Sequence, residues 1–263
     1  MQFNPNEVLE RIYNLYSSTP DPTTNTWLTH FVEQDDSFVW QILLEILLST
    51  QQIVTDTARF FAAQGLLLKV SNPTLQGESV WSTCPPAFKG HLLQSIFHIF
   101  ATSPSLTTLL GRRLTLLLCH LVLRVGLTPT WPTPFADVFR AFSQPTQVVW
   151  LIEFLTMLPY EIDSHRYNDS TRKIGIATLA RTYVLPRVLN QIDQALFHGN
   201  EEEKKAACKC LVGWSACSTE VETGTSLLLW VDSGGGGGGG SGSLQQQQHQ
   251  QRLHLPYDAP TRT

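Results

Sequence analysis

The side chains best suited to metal chemistry are Cys208, Cys210 and Cys217, with His198 just upstream. Thiolates and imidazoles ligate zinc when paired C-x-x-C or H-x-H spacings aim them at one point. Here a C-x-C step on a helix turns its two thiols about 200 degrees apart, so the pattern implies structural thiols and no metal. His91 and His98 fall two turns apart on one helix face, without the i, i+4 spacing and adjacent acid of H-E-x-x-H. The run Gly234 to Gly240 satisfies G-x-G-x-x-G only as any homopolymer would. No amphipathic helix follows it and no Gly-Lys-Ser/Thr ends it, so no nucleotide site is expected. Asp56 and Arg59 are spaced for a helical i, i+3 ion pair. No Gly-x-Ser-x-Gly elbow is present. A helical hydrolase, whose titratable groups would converge in a pocket from positions dispersed along the chain, is the runner-up from another class. The expectation is a protein that is not an enzyme and carries no cofactor.

What remains is surface. Thr26, His30 and Glu33 share one side of one predicted helix; Gln52, Asp56, Arg59 and Ala63 share one side of another, opposite Val54, Phe61 and Leu68. These sets can serve as a docking face only if the helices that carry them lie side by side.

The carriers are read from apolar spacing. Asn4 followed by Pro5 is a cap and first-turn proline, and Val8, Leu9, Ile12, Leu15 and Tyr16 continue at helical spacing. TPDPT breaks that helix. Trp27, Leu28, Phe31 and Val32 mark a second, Ser37 is placed to cap a third, and a fourth is predicted from about Gln52 to Val70. A loop with Trp81 and Pro85-Pro86 leads to a helix through Leu92 and Phe100 and to a long apolar one through Leu116 and Leu123. Arg112, Arg113, His120 and Arg124 interrupt that last helix. It therefore lacks the roughly 20 mostly apolar residues of a membrane span, and no membrane insertion is expected.

The segment from Trp131 to Asp163 holds two helices with different apolar faces. Phe135, Val138, Phe139 and Phe142 make one stripe, enough for a single neighbour. Val148, Leu151, Ile152, Leu155 and Leu158 line one side of the next helix while Trp150, Phe154 and Met157 line another, so it is expected to be covered twice. Pro159 is expected to close it. A longer helical region from about Ser170 to Phe197 should bend at Pro186. A last helix, capped by Asn200 and opened by Glu201 to Glu203, carries Ala207, Leu211 and Trp214.

No stretch alternates with period two, so the fold class is all-α. Helix pairs begin near Asn4, Ser37, Pro86, Pro132 and Ser170, steps of roughly 33 to 49 residues. These bracket the 40 to 47 of HEAT and armadillo units and the 34 of tetratricopeptide units, and their irregularity favours HEAT. Residues 1–216 then form an α-solenoid of HEAT-like antiparallel helix pairs, whose second helices would line one binding surface. Residues 217–263 form a tail whose glycine run and LQQQQHQQ cannot bury enough apolar surface to order. Within it the segment Leu227 to Val231 reads as a truncated helix or an apolar patch. A formal charge of -4, a pI near 6.0 and no basic cluster argue against nucleic acid as a partner. Five irregularly spaced cysteines and a start without a basic and then apolar leader fit reduced thiols and an intracellular protein.

WLTHFVEQDDSFVWQILLEIL (Trp27 to Leu47), FFAAQGLLLKV (Phe60 to Val70), WPTPFADVFRAF (Trp131 to Phe142), LIEFLTMLPYEID (Leu151 to Asp163) and AACKCLVGWSA (Ala206 to Ala216) resemble the amino-terminal part of the importin-β superfamily of nuclear transport receptors. The importin-13 and transportin-3 branch is the nearest in pattern. The resemblance covers residues 1 to about 216 and implies a right-handed HEAT superhelix. It implies Ran-GTP as the partner of the early repeats, cargo proteins on later ones, contacts with nucleoporins, and residence in cytoplasm and nucleus. Carried onto this chain, the GTPase face falls on the second helices of the first three pairs, at Thr26, His30, Glu33, Gln52, Asp56, Arg59, Arg113 and His120. Such receptors are several times longer, so most of the cargo surface is expected to be missing from this sequence. The alternative is a HEAT scaffold that binds another protein and does not recognise the GTPase.

Overall fold

A computed structural model describes residues 3–71, 84–163 and 170–216, except 18, 20, 35, 104–105, 130, 143, 145–146, 181, 183–185, 187–192, 194–195 and 198–200. Contacts cluster Met1–Val221 into one unit and Glu222–Thr263 into another, the second lying outside the described residues. Trp81, His198, Asn200, Cys217, Leu227 to Val231 and the glycine run also lie outside them, as does most of the stretch where a bend at Pro186 was expected.

Ten helices stand among the described residues: α1 Pro5–Leu15, α2 Pro22–Glu33, α3 Ser37–Leu48, α4 Asp56–Ser71, α5 Pro86–Thr102, α6 Thr108–Val125, α7 Pro134–Ala141, α8 Val148–Asp163, α9 Ser170–Leu179 and α10 Glu201–Ala216. The molecule is an all-α, HEAT-like array. Local chemistry sets several starts. Asn4 accepts from the Asn6 N–H at 2.9 Å, Asp21 from the Thr23 N–H at 2.9 Å and Asp36 from the Phe38 N–H at 2.9 Å. Each satisfies a donor that the first turn leaves open. Asp36, not Ser37, therefore caps α3. The fourth helix begins at Asp56, with Gln52 in the loop before it.

The helices fall into two layers. The second helices of successive pairs adjoin in order, α2 on α4, α4 on α6, α6 on α8 and α8 on α10. The first helices do the same, α1 on α3, α3 on α5 and α5 on α7. α9 departs from this order by lying against α6 and α8. Small residues let α4 close on its pair partner α3. Ala58, Ala62, Ala63 and Gly65 are buried on α4, and a Cβ at Gly65 would sit 3.0 Å from Leu43. That packing shortens the expected polar face of α4: Gln52 and Asp56 are exposed, but Ala63 is fully buried, and Leu68 on the side expected to be apolar is exposed.

The two faces read along Trp131 to Asp163 are both used. α7 covers α5, with Phe142 edge-on to Phe100 at 4.9 Å and Trp131 edge-on to Phe97 at 6.1 Å. α8 is sandwiched between α6 and α10. Pro159 does not end it, and the helix runs on to Asp163. Leu158, Pro159 and Ile162 are all buried, and a Cβ at Gly213 of α10 would lie 3.0 Å from the Pro159 ring. Burial between two neighbours outweighs the one ladder bond a proline removes.

Polar bonds from one helix finish the exposed carbonyl end of another. Arg59 on α4 donates to the Ser49 carbonyl at the end of α3, at 2.6 Å. Lys69 donates to the Gln34 carbonyl that ends α2, at 2.5 Å, while its ammonium lies over the Trp40 ring. Arg124 on α6 donates to the Val70 and Ser71 carbonyls of α4 at 3.1 and 3.4 Å. Gln147 donates to the Phe100 carbonyl in the last turn of α5 at 3.0 Å. Carbonyls at a helix C-terminus lack intrahelical donors and carry partial negative charge, so cationic and amide donors are favoured there.

Candidate protein-docking face

α2 exposes one face because the other is committed inward. Leu28, Phe31 and Val32 are buried, and the buried Thr24 hydroxyl donates to Asn14 at 3.0 Å. Thr26, His30 and Glu33 occupy the opposite, exposed side. The His30 ring is 3.1 Å from the Gln34 amide nitrogen. Asp21 at the start of this helix is held below the usual carboxylate range, first by the Thr23 backbone N–H and then by the Thr23 hydroxyl.

Further along the layer the predicted residues differ in availability. Gln52 and Asp56 are exposed. Asp56 pairs with Arg59 at 3.4 Å, and Arg59 is half-buried because its guanidinium also holds the end of α3. Arg113 is half-buried over the Phe60 ring at 5.1 Å, and burial lowers its pKa from the usual guanidinium value. His120 is fully enclosed, with Nε2 3.2 Å from a Glu161 carboxylate oxygen on α8. It joins α6 to α8 and presents nothing to a partner, which corrects its placement on a docking surface. Arg113 and His120 lie two turns apart on one side of α6; Arg113 stays half-open at its end of the helix, whereas His120 is enclosed against Glu161 of α8.

The exposed cation of α6 is Arg112, which the sequence reading passed over. It reaches Glu153 of α8 at 3.0 Å, with its side chain just over half exposed. Leu109, one turn earlier, is also exposed. The usable signal was the phase set by Leu110, Leu114, Leu117, Leu118 and Leu121, all buried, which turns 109 and 112 outward. Among the described residues, the ion pair within the predicted set is that of Asp56 with Arg59. Its exposed members, Thr26, His30, Glu33, Gln52 and Asp56, form a string along α2 and up to the start of α4, and no cluster.

The cysteines split by side. Cys208 is exposed, whereas Cys84, Cys119 and Cys210 are buried. Burial drives the Cys119 thiol well above its ordinary value, and the carboxylates of Glu161 and Glu153 push it the same way. Burial also pushes Cys210 from 9.0 up to about 12. The unfolded chain then loses this proton before the folded one. The stability Cys210 contributes is whole below pH 9.0 and is lost as pH climbs toward about 12. The expected slope is about 1.4 kcal/mol per pH unit in that window. Denaturant melts at neutral pH and at about pH 10 should show the wild type losing more stability than Cys210→Ala; equal losses would refute the assignment. Among the described residues, no three His, Cys, Asp or Glu gather as metal ligands would, and no helix is long and apolar enough to cross a membrane.

Residues 108–225 match the family model for Exportin 1-like protein, a span that opens at the first residue of α6 and takes in α10. None of the curated proteins matches the chain.

Proposed function

We propose that this chain is a karyopherin-type transport receptor that docks the small GTPase Ran in its GTP state on the second helices of its first pairs. The match of residues 108–225 to the exportin 1-like family carries the reading. It supports membership of the importin-β and exportin superfamily, and with it a karyopherin-family transport receptor in general. The finer assignments are ours: the importin-13 and transportin-3 branch, a part in protein import, cargo proteins and nucleoporins as further partners, and passage between cytoplasm and nucleus. We assign the helical array to residues 1–216 and a low-complexity segment to 217–263.

The docking face in this reading runs over Thr26, His30 and Glu33 of α2 to Gln52, Asp56 and Arg59, with Arg113 at its inner edge. The first three are exposed side by side on a helix whose other face is core. A convex protein seated on adjoining helices would meet them together. Rim charges tune association more than they anchor it, so no single one should dominate.

The test is retention of the full chain on immobilised Ran loaded with a non-hydrolysable GTP analogue or with GDP. Retention on the GTP form alone is expected, with the double variant His30→Ala, Glu33→Lys weakened about tenfold. Equal retention on both forms, or none, would leave a helical scaffold that does not read the GTPase.

A further inference from the structure

The cations that α4 and α6 turn toward their neighbours are nearly all spent. Arg59, Lys69 and Arg124 donate to carbonyls, and Arg112 pairs with Glu153 of α8 at 3.0 Å. Arg113 differs. It points away from Arg112, toward α4, where its guanidinium lies over the Phe60 ring at 5.1 Å. Among the described residues no carboxylate or carbonyl accepts from it, and the guanidinium is only partly buried. Asp56, one turn before Phe60 on α4, is committed to Arg59 and forms no ion pair with Arg113. A planar fork of N–H donors is thus half stripped of water, which lowers its pKa, and no anion offsets that cost.

The surroundings narrow what can pair with it. Leu109, one turn earlier on α6, is 63% exposed, while Leu116, one turn later, and Phe60 are half-buried. One unpaired positive charge in an apolar frame fits a singly charged carboxylate carried beside an apolar side chain. A nucleic-acid backbone or a phosphate would call for further free cations, but Arg112 is already paired and the whole chain carries a formal charge of -4. The place favours a protein as the carrier. Arg113 stands where α4 and α6 adjoin, one helix on from α2 and α4 with their exposed groups.

We propose, resting on the docking face assigned above, that Arg113 anchors the bound protein: its fork takes an Asp or Glu carboxylate through two parallel hydrogen bonds, while an apolar side chain beside that acid covers Leu109. Phe60 positions the guanidinium beforehand, so less freedom is lost when the pair forms. The exposed charges of α2 and α4 stay at the rim and tune approach. Arg113 has apolar neighbours, and a seated partner shuts water out around it, which is the setting in which an arginine carries much of the binding energy.

The test measures the affinity of the full chain and its Arg113 variants for Ran loaded with the non-hydrolysable GTP analogue. Arg113→Met keeps an apolar stem on Phe60 and removes the fork; it is expected to weaken binding about thirtyfold, against about tenfold for the rim double variant. Arg113→Lys keeps the charge without the fork and should recover only part of the loss. Arg113→Glu should be rescued by one variant of Ran in which a surface Asp or Glu is changed to Lys, found by changing these acids one at a time. The melting temperature of Arg113→Met should be no lower than that of the wild type, because nothing in the free chain accepts from the guanidinium. A lowered melting temperature, wild-type affinity in Arg113→Met, full recovery by lysine, or no rescuing acid on Ran would each overturn the anchor while wild-type binding to the GTP form stands. A wild-type chain that does not bind the GTP form would overturn the docking reading, and the anchor with it.

Discussion

Gly111→Ala is expected to destabilise the protein by about 2 kcal/mol or more, against the usual benefit of replacing a helical glycine. Helix propensity alone would favour alanine by about 1 kcal/mol. Sterics decide otherwise. A Cβ on Gly111 would lie 2.1 Å from Cη2 of Trp150, and 2.5 and 2.6 Å from Cζ3 and Cζ2. The indole is rigid and is backed by Phe100, whose ring centroid is 5.8 Å away, so it cannot simply swing aside. Overpacking of this kind costs about 1–3 kcal/mol and sometimes more. For a chain of this size the melting temperature should drop by roughly 4–8 °C. Trp150→Leu in the same chain should restore most of the loss, because residues in contact do not add. A melting temperature that rises in Gly111→Ala would show that α8 does not seat on α6 as described.

Trp214→Ala should cost about 3–5 kcal/mol, the range for emptying a core position of a large aromatic. The side chain is 1% exposed on α10, beside Gly213 at the contact with Pro159. Trp214→Phe should behave differently. It loses part of the buried area, but it also removes an indole N–H that has no hydrogen-bond partner, a defect worth about 1–3 kcal/mol. The two nearly cancel, and a change within about 1 kcal/mol is expected. Chemical denaturation of the three proteins separates the contributions: a phenylalanine variant as unstable as the alanine one would mean that the N–H is satisfied.

Legibility followed locality. Asn4 with Pro5 and the Asp56 and Arg59 pair depend on residues within one turn, and the structure has both. The two-sided face of α8 was legible because its one polar band is narrow. Pro159 was not, since its effect on the backbone is local but the burial that overrides it comes from α6 and α10. His120 was missed for a related reason. A helix with twelve buried residues has few polar markers to set its phase, and a residue seven positions from Arg113 reads the same facing out or in. The docking residues of α2 were the easiest to place, because that helix is core on one side only.

The bonds from Arg59, Lys69, Arg124 and Gln147 to foreign carbonyls bear on how the array comes apart. Each spans 10 to 54 residues of sequence, and those of Lys69, Arg124 and Gln147 join one pair to the next. An array held only by apolar contact can fray unit by unit from its ends. Here, opening α6 also strips the donors from the end of α4, and lifting the start of α8 strips one from α5. Fraying in one unit thus raises the energy of its neighbour, and the early pairs should open as a block rather than singly.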